Sequence, residues 1–519
     1  MKHQRLWVAC ILAVAATIFA LISFGNHLNF RTYCLDLGQY TNVLYDYAHG
    51  RIDDCSAFLW EPQNTLGDHF DLYLLLFSPL VFLFGQYTLL IIQIVALTFG
   101  ALGMYLLIKE YTSSLTLPLL AMVCYLGCFG IWQALGFDYH SSVVAINLFP
   151  WLLRSFKRGR YGWSTLWVVL FLLAKETMPL FIFFLALALM WDYRKNRRAL
   201  CWLGGYMALA VGYFVVIGMV VMPSLGSNSQ VICRYNYMGD SFGAIALYIL
   251  THPWDMLVHF FTNFIGNPGD DGLKLEFWLC VACSGGLLLL VKKPHWLLML
   301  VPCVAMKMLA SDIAFWGIAY HYNADIMPVL VAGSFIALST MERERWRQIA
   351  ATALCLCTLL TTNYTFNRPK SWIRKDNLRI HSASHYQQED FNADYARQLL
   401  AQIPDDASVC ATTMFVPHLA TRDSIYQFPQ GTAYNPEYYL LLKHNSCSFE
   451  GEEEMVTRIL SDTLRYETLA TDGHLYLLRD RRSAIDDNQF GTPERDLAER
   501  LQKCYVPFFV AHSKSDIKH

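Results

Sequence analysis

Charge is what this chain has least of. Asp, Glu, Lys and Arg make up 16% of its 519 residues, against 55% hydrophobic and 15% aromatic. A soluble protein of this length needs more charge to cover its surface. Neither sign is in surplus: 40 Lys and Arg face 42 Asp and Glu, a net of −2. A chain with no basic excess is no partner for nucleic acid. No glycine-rich phosphate loop occurs beyond Tyr364, so nucleotide binding gains no support there. The 15 cysteines include no CxxC pair with a matching second pair, and so no zinc motif. Cys124, Cys128, Cys280 and Cys283 sit in apolar blocks as small buried hydrophobes. Cys34 with Cys55, and Cys410 with Cys447, are candidate disulfides if their segments face an oxidising compartment.

What the chain has instead is long apolar runs, and they stop near Tyr364. A spanning helix needs roughly 20 apolar residues, fewer where the bilayer thins. The candidates are 6–26, 88–108, 115–135, 142–153, 163–174, 178–191, 199–222, 276–291, 295–311, 323–340 and 348–363. The first follows a basic start and has no clean small-residue cleavage site, so it reads as an uncleaved helix. Basic clusters occur at Lys109, at Arg154 to Arg160, at Arg194 to Arg198, at Lys292-Lys293, and at Arg343, Arg345 and Arg347. With about eleven crossings and the N-terminus inside, every cluster lands in the cytoplasm, as the positive-inside rule requires. Residues 71–85 are apolar but short and carry Pro79; counted as a crossing they would invert every later cluster. They read as a helix lying in the outer interface.

The expected architecture is an all-α polytopic membrane protein over 1–363, with a long outer loop at 27–87. Residues 364–519 form a soluble α/β domain on the outer face. That domain alternates helix (390–403), strand (408–415), short helix near Pro417-His418-Leu419, strands (424–428 and 438–443), helix (452–464), and a strand pair around Asp472-Gly473.

The outer segments hold nearly all the polar residues with chemistry to offer. Asp36 precedes an amphipathic stretch, Leu37 to Ala48, where an Asp commonly serves as a helix N-cap. Asp68-His69-Phe70-Asp71, Phe137-Asp138-Tyr139-His140 and Tyr320-His321-Tyr322 sit beside outer helix ends. Lys175-Glu176 lies between two short apolar helices; ionisable groups at that depth usually serve a site, or else neutralise each other. Lys175 suits a phosphate. His with carboxylates can make an acid–base or metal site, with Asp36, Asp68 and Asp71 the candidate ligands of a divalent cation. Arg31, Arg234 and Arg422 read as solvated surface charges, and Lys307 as a snorkelling one.

An acidic residue in a long first outer loop, an apolar juxtamembrane helix ending in Leu-Phe-Gly and a following span resemble the GT-C superfamily of polytopic glycosyltransferases. More specifically, the chain resembles the bacterial predicted-membrane-protein group called domain-of-unknown-function family 2079. The matching pieces are Asp36-Leu37-Gly38, His69-Phe70, Phe137 to His140, Lys175-Glu176, Tyr320 to Tyr322 with Pro328, and Val409 to Arg422. GT-C enzymes commonly carry two acidic residues near the first loop; here Asp36 fits its place, with Asp68 and Asp71 as candidate partners. The resemblance implies an inverting hexosyl or pentosyl transfer from a polyprenyl-phosphate-linked sugar to an acceptor on the non-cytoplasmic face of the inner membrane. Asp36 would be the general base, Lys175 with His69 or His321 would receive the phosphate, and Asp138, His140, Glu176 and Tyr322 would bind substrate. The competing readings are a transporter or flippase for a lipid-linked glycan, which needs ionisable groups in mid-helix, and a non-enzymatic binding or sensor protein.

Overall fold

A computed structural model describes residues 2–52, 55–57, 64–226, 234–266, 270–368, 375–444 and 451–484. All eleven expected segments are helical in it. Among the described residues, five helices are long and apolar enough to cross a membrane: His3–Leu28, Leu72–Ile108, Arg197–Ser224, Leu273–Lys292 and His321–Ser339. Thr116–Leu126 and Phe129–Leu135, bent by 42°, make a sixth span if taken together. Tyr161–Ala174, Met178–Asp192 and Pro294–Met308 are apolar but shorter.

The run Leu72–Ile108 has 37 residues. As one rod it would be roughly 55 Å long, far more than a bilayer's ~30 Å hydrocarbon core. It is broken at Gly85, whose φ of +52° suits only glycine. The part before the break exposes Phe82 (64%) and Leu83 (72%), as a helix lying along an apolar surface does. The described part of 223–275, between the expected crossings 199–222 and 276–291, is not a plain loop. It contains the apolar helix Phe242–Thr251 and the helix Pro253–His259, with Leu250 and Trp254 largely exposed.

Small residues set how closely the helices pack. A Cβ on Gly103 would come within 2.5 Å of Trp151 Nε1, and one on Gly100 within 2.1 Å of Asn147 Oδ1. Glycines at these two positions let Thr88–Ile108 lie against Phe149–Lys157, where Trp151 donates to the Phe99 carbonyl.

The C-terminal sheet has order β2-β1-β3-β5-β4, from β1 (Val409–Ala411), β2 (Ile425–Gln427), β3 (Tyr438–Leu442), β4 (Tyr466–Thr471) and β5 (Leu475–Asp480). β1 runs parallel to β2 and β3; β5 is antiparallel to β3 and β4. The first strand is shorter than the sequence suggests, because the chain turns at Thr412 into the helix Val416–Leu419. This short helix packs on the loop that carries Asp36. One hydrophobic core runs from Val8 in the first helix to Leu477 in β5, so the C-terminal region is not walled off from the bundle.

Candidate active site

The first helix, Lys2–Leu28, and the helix Gln39–Ala48 are joined by a tight turn, Cys34–Gly38. Within it Asp36 has φ +72° and ψ −87°, a region that L-residues rarely adopt. Such a conformation costs about 1–3 kcal/mol and persists only where its surroundings enforce it. Here the Asp138 carboxylate accepts the Tyr33 N–H at 3.2 Å and also the Leu37 N–H, holding the chain on both sides of Asp36. The Cys34 N–H donates to Thr413 Oγ1 at 3.2 Å, from the C-terminal region. Gly38 lies against Val416 and Pro417, where a Cβ would be 3.1 Å from Val416 Cγ1.

Asp36 is therefore no N-cap. The capping position of Gln39–Ala48 is Gly38, and no side chain caps it. The Asp36 Oδ1 instead faces His140 Nε2 at 3.4 Å. His140 stacks on His321, ring centroids 3.3 Å apart and 21° from parallel, and Phe137 stacks beside both. Tyr322 leans on His321 at 4.1 Å and stacks on Phe315. Neither ring nitrogen of His140 makes a proper hydrogen bond, nor does Nδ1 of His321. Burial lowers the His140 pKa in spite of the Asp36 charge beside it, so the ring is neutral near pH 7. Gln93 fixes the peptide here: its amide donates to the Asp138 carbonyl (2.8 Å) and its carbonyl oxygen accepts the His140 N–H (3.1 Å).

The second half of the site comes from the break between Tyr161–Ala174 and Met178–Asp192. Lys175 and Glu176 do not pair with each other. Glu176 takes His69 Nδ1 at 3.2 Å and the Phe70 N–H at 3.2 Å, while Lys175 Nζ reaches His69 Nε2 at 3.5 Å. Burial alone would raise the Glu176 pKa; the His69 contact and the Lys175 charge outweigh it and hold the carboxyl at about 2. The result is a carboxylate–imidazole–ammonium chain ending in the half-buried Lys175. Lys175 and Asp36 both act electrostatically on His140, so the two halves converge.

Asp71 and Asp68 sit nearby. Asp71 accepts the Ser141 hydroxyl and the Tyr73 N–H (2.9 Å), and burial lifts its pKa to about 7. Asp68 is partly exposed; burial, and after it the charges of Asp36, Asp68, Asp71 and Glu176, push the Tyr40 hydroxyl well above its usual range. Among the described residues no three His, Cys, Asp or Glu side chains are arranged to hold a metal ion. The Asp36, Asp68 and Asp71 set is not gathered for one.

Several sequence readings change. Arg31 is buried and donates to the carbonyls of Ser384, His385 and Gln387; Arg422 is buried and donates to those of Pro404, Ala407 and Leu419. Arg234 is partly buried, 4.7 Å from the Phe315 ring centroid. None is a solvated surface charge, because loop carbonyls and aromatic faces replace water around them. Lys307 does not snorkel: it is 2% exposed and donates to the carbonyls of Phe315 and Gly317. Cys34 is a free thiol donating to the Ala57 carbonyl, and Cys55 Sγ is directed at Asn42 Oδ1, so these two do not pair. Cys447 lies outside the described residues. Gln93 lies outside the sequence expectations, although a glutamine inside an apolar span is a legible signal.

Residues 26–473 match the family described as "Predicted membrane protein (DUF2079)". No curated protein matches the chain. Among solved structures, the crystal structure of ArnT from Cupriavidus metallidurans bound to undecaprenyl phosphate is similar, with a TM-score of 0.50 and 12% identity. The similarity covers 91% of this chain and 97% of that one, so the two share an overall fold.

Proposed function

We propose that this chain, which belongs to the predicted membrane protein family DUF2079, is a membrane glycosyltransferase that moves a sugar from a polyprenyl-phosphate-linked donor to an acceptor on the outer face of the membrane. The observation that carries the reading is Asp36 itself. Its carboxylate is held on strained backbone, spent on no cap, and turned toward the buried, stacked pair His140 and His321. A strained residue enforced from three sides is what a preorganised catalytic group requires.

The Asp36 carboxylate takes the proton from the acceptor nucleophile. The nucleophile then attacks the anomeric carbon from the side opposite the leaving group, and the configuration inverts. The polyprenyl phosphate departs with the bonding electrons and meets the Lys175 ammonium, which His69 and Glu176 hold in place. His140 and His321 face the reacting groups and offer ring nitrogens to substrate hydroxyls. Asp138 positions the Asp36 loop and touches no substrate. A lipid-borne donor suits an outer-face site, which nucleotide sugars do not reach. The ligand of the structurally similar ArnT, undecaprenyl phosphate, supports the same donor class.

The test is release of polyprenyl phosphate by protein in nanodiscs, given a panel of polyprenyl-phosphate sugars, beside Asp36→Asn. Release by wild type and loss of at least about a thousandfold in the variant is the expected result. An Asp36→Asn protein with normal turnover would remove the base from the mechanism.

A further inference from the structure

We infer that the end of the bundle opposite Asp36 holds a binding site for the phosphate of an anionic membrane lipid. The helix Met178–Asp192 starts beside Glu176 and ends, roughly 22 Å away, at a cavity of about 220 Å³. The ends of Phe149–Lys157 and of the turn Pro294–Leu300 close the same cavity. Its wall is aromatic, with Tyr111, Phe156, Tyr193 and Trp296, and two lysines, Lys157 and Lys293, line it.

The charges around this cavity do not cancel. Asp192 is saturated by Trp296 Nε1 (2.8 Å), His295 Nε2 (2.9 Å) and Lys293 Nζ (3.3 Å). Glu110 is held by Arg154 (3.1 Å) and Arg158 (3.0 Å). Four cations, Arg154, Arg158, Lys157 and Lys293, thus stand against two carboxylates, a local excess of two positive charges. Lys157 has no ion pair among the described residues; its Nζ lies 3.7 Å from the Tyr111 ring centroid. Lysines that only anchor a helix end extend outward into the head groups. Lys157 instead folds back over a ring and lines the hollow, where it brings positive charge into the company of Lys293.

The chemistry that fits is a phosphate anion with an apolar tail. Basic pockets between helix ends on the cytoplasmic side recognise lipid head groups in this way, and the positive-inside bias puts this end there. The aromatic wall takes the glycerol and upper acyl region, and Lys157 and Lys293 take the phosphate. Inorganic phosphate offers the same anion without the tail, so the two sources separate by experiment.

The full chain would be placed in phosphatidylcholine nanodiscs doped with phosphatidylglycerol, and anionic-lipid retention and thermal midpoint measured. A charge-assisted hydrogen bond from each cavity lysine to the phosphate contributes roughly a tenfold factor in lipid affinity, so Lys157→Gln with Lys293→Gln should weaken it about a hundredfold. Lys157→Arg with Lys293→Arg should restore most of it. Lys195→Gln with Lys292→Gln removes equal charge from outside the cavity and should cost only the screened surface attraction, at most about 25-fold. Equal losses in the two Gln pairs would reduce the effect to general surface charge and overturn the site. A midpoint shift of the same size with millimolar inorganic phosphate in undoped nanodiscs would overturn the lipid as its ligand. Wild type with no preference for phosphatidylglycerol would overturn both. Undoped nanodiscs also report whether each variant folds.

Discussion

Glu176→Gln gives the sharpest reading of the Lys175–His69–Glu176 chain. Moving the carboxyl from its ordinary 4.5 to about 2 corresponds to about 3 kcal/mol of preference for the ionised form. His69 lies between the two charges, with Nε2 toward Lys175 and Nδ1 toward Glu176. The hydrogen bonds from His69 and Phe70 and the Lys175 charge share that preference, and the part an amide does not replace is about 2 kcal/mol. A glutamine amide keeps one acceptor and brings a donor toward the Phe70 N–H, so His69 turns and Lys175 loses its support. If that support is used in receiving the phosphate, kcat/KM for polyprenyl phosphate release falls about thirtyfold. The ratio of wild type to variant should be flat between pH 6 and 8. A depressed carboxyl contributes fully above its unfolded value of 4.5, and its contribution is lost only as pH falls through about 2. Measured in nanodiscs at pH 6, 7 and 8, a variant within about threefold of wild type refutes the role of the chain. A ratio that changes about tenfold across that range refutes a Glu176 carboxylate that stays ionised throughout it.

Three further outcomes follow from the same geometry. Asp138→Ala frees the Tyr33 and Leu37 N–H groups and should cost about 2–4 kcal/mol of stability, read as a lower thermal midpoint, with turnover falling further than Asp138→Asn makes it fall. Asp71, raised to about 7 from 3.8 by burial, keeps its proton when folded; stability should fall by up to about 4 kcal/mol as pH rises from 4 to 7, and Asp71→Asn should flatten that slope in thermal melts. Lys307→Met leaves the Phe315 carbonyl without its donor and the Gly317 carbonyl with only Asn323 Nδ2 at 3.5 Å, and should cost about 2 kcal/mol, seen as faster amide exchange over residues 313–318.

Much of the helical framework was legible because apolar run length is a strong signal in a membrane chain. The positions of Asp36, His140, Lys175, Glu176 and His321 were legible for a related reason, since polar groups at apolar helix ends stand out. Their partners were not. The sequence offers a cap for Asp36, but the bend at Cys34–Gly38 depends on Asp138, about a hundred residues on, and on Thr413, later still. Arg31, Arg422 and Lys307 look like surface charges because burial by loop carbonyls leaves no mark on composition. Short helices such as Tyr161–Ala174 blur the span count for another reason: their ends are set by the polar breaks that build the site.

The contact between Cys34 and Thr413 joins positions 379 residues apart, and Asn42 donates to the Ala420 carbonyl across 378. A ribosome adds roughly 5–20 residues per second, so the first loop waits some 20–75 seconds after synthesis for the wall that bends it. During that time the first helices can already be in the membrane while the Asp36 turn lacks its support from Thr413, Val416 and Pro417. A chain interrupted before residue 413 would carry every span and nearly every polar group of the site, yet have an unformed turn. Under the proposed function, a chain ended before residue 413 would therefore lack the supported Asp36 turn and turn over no substrate.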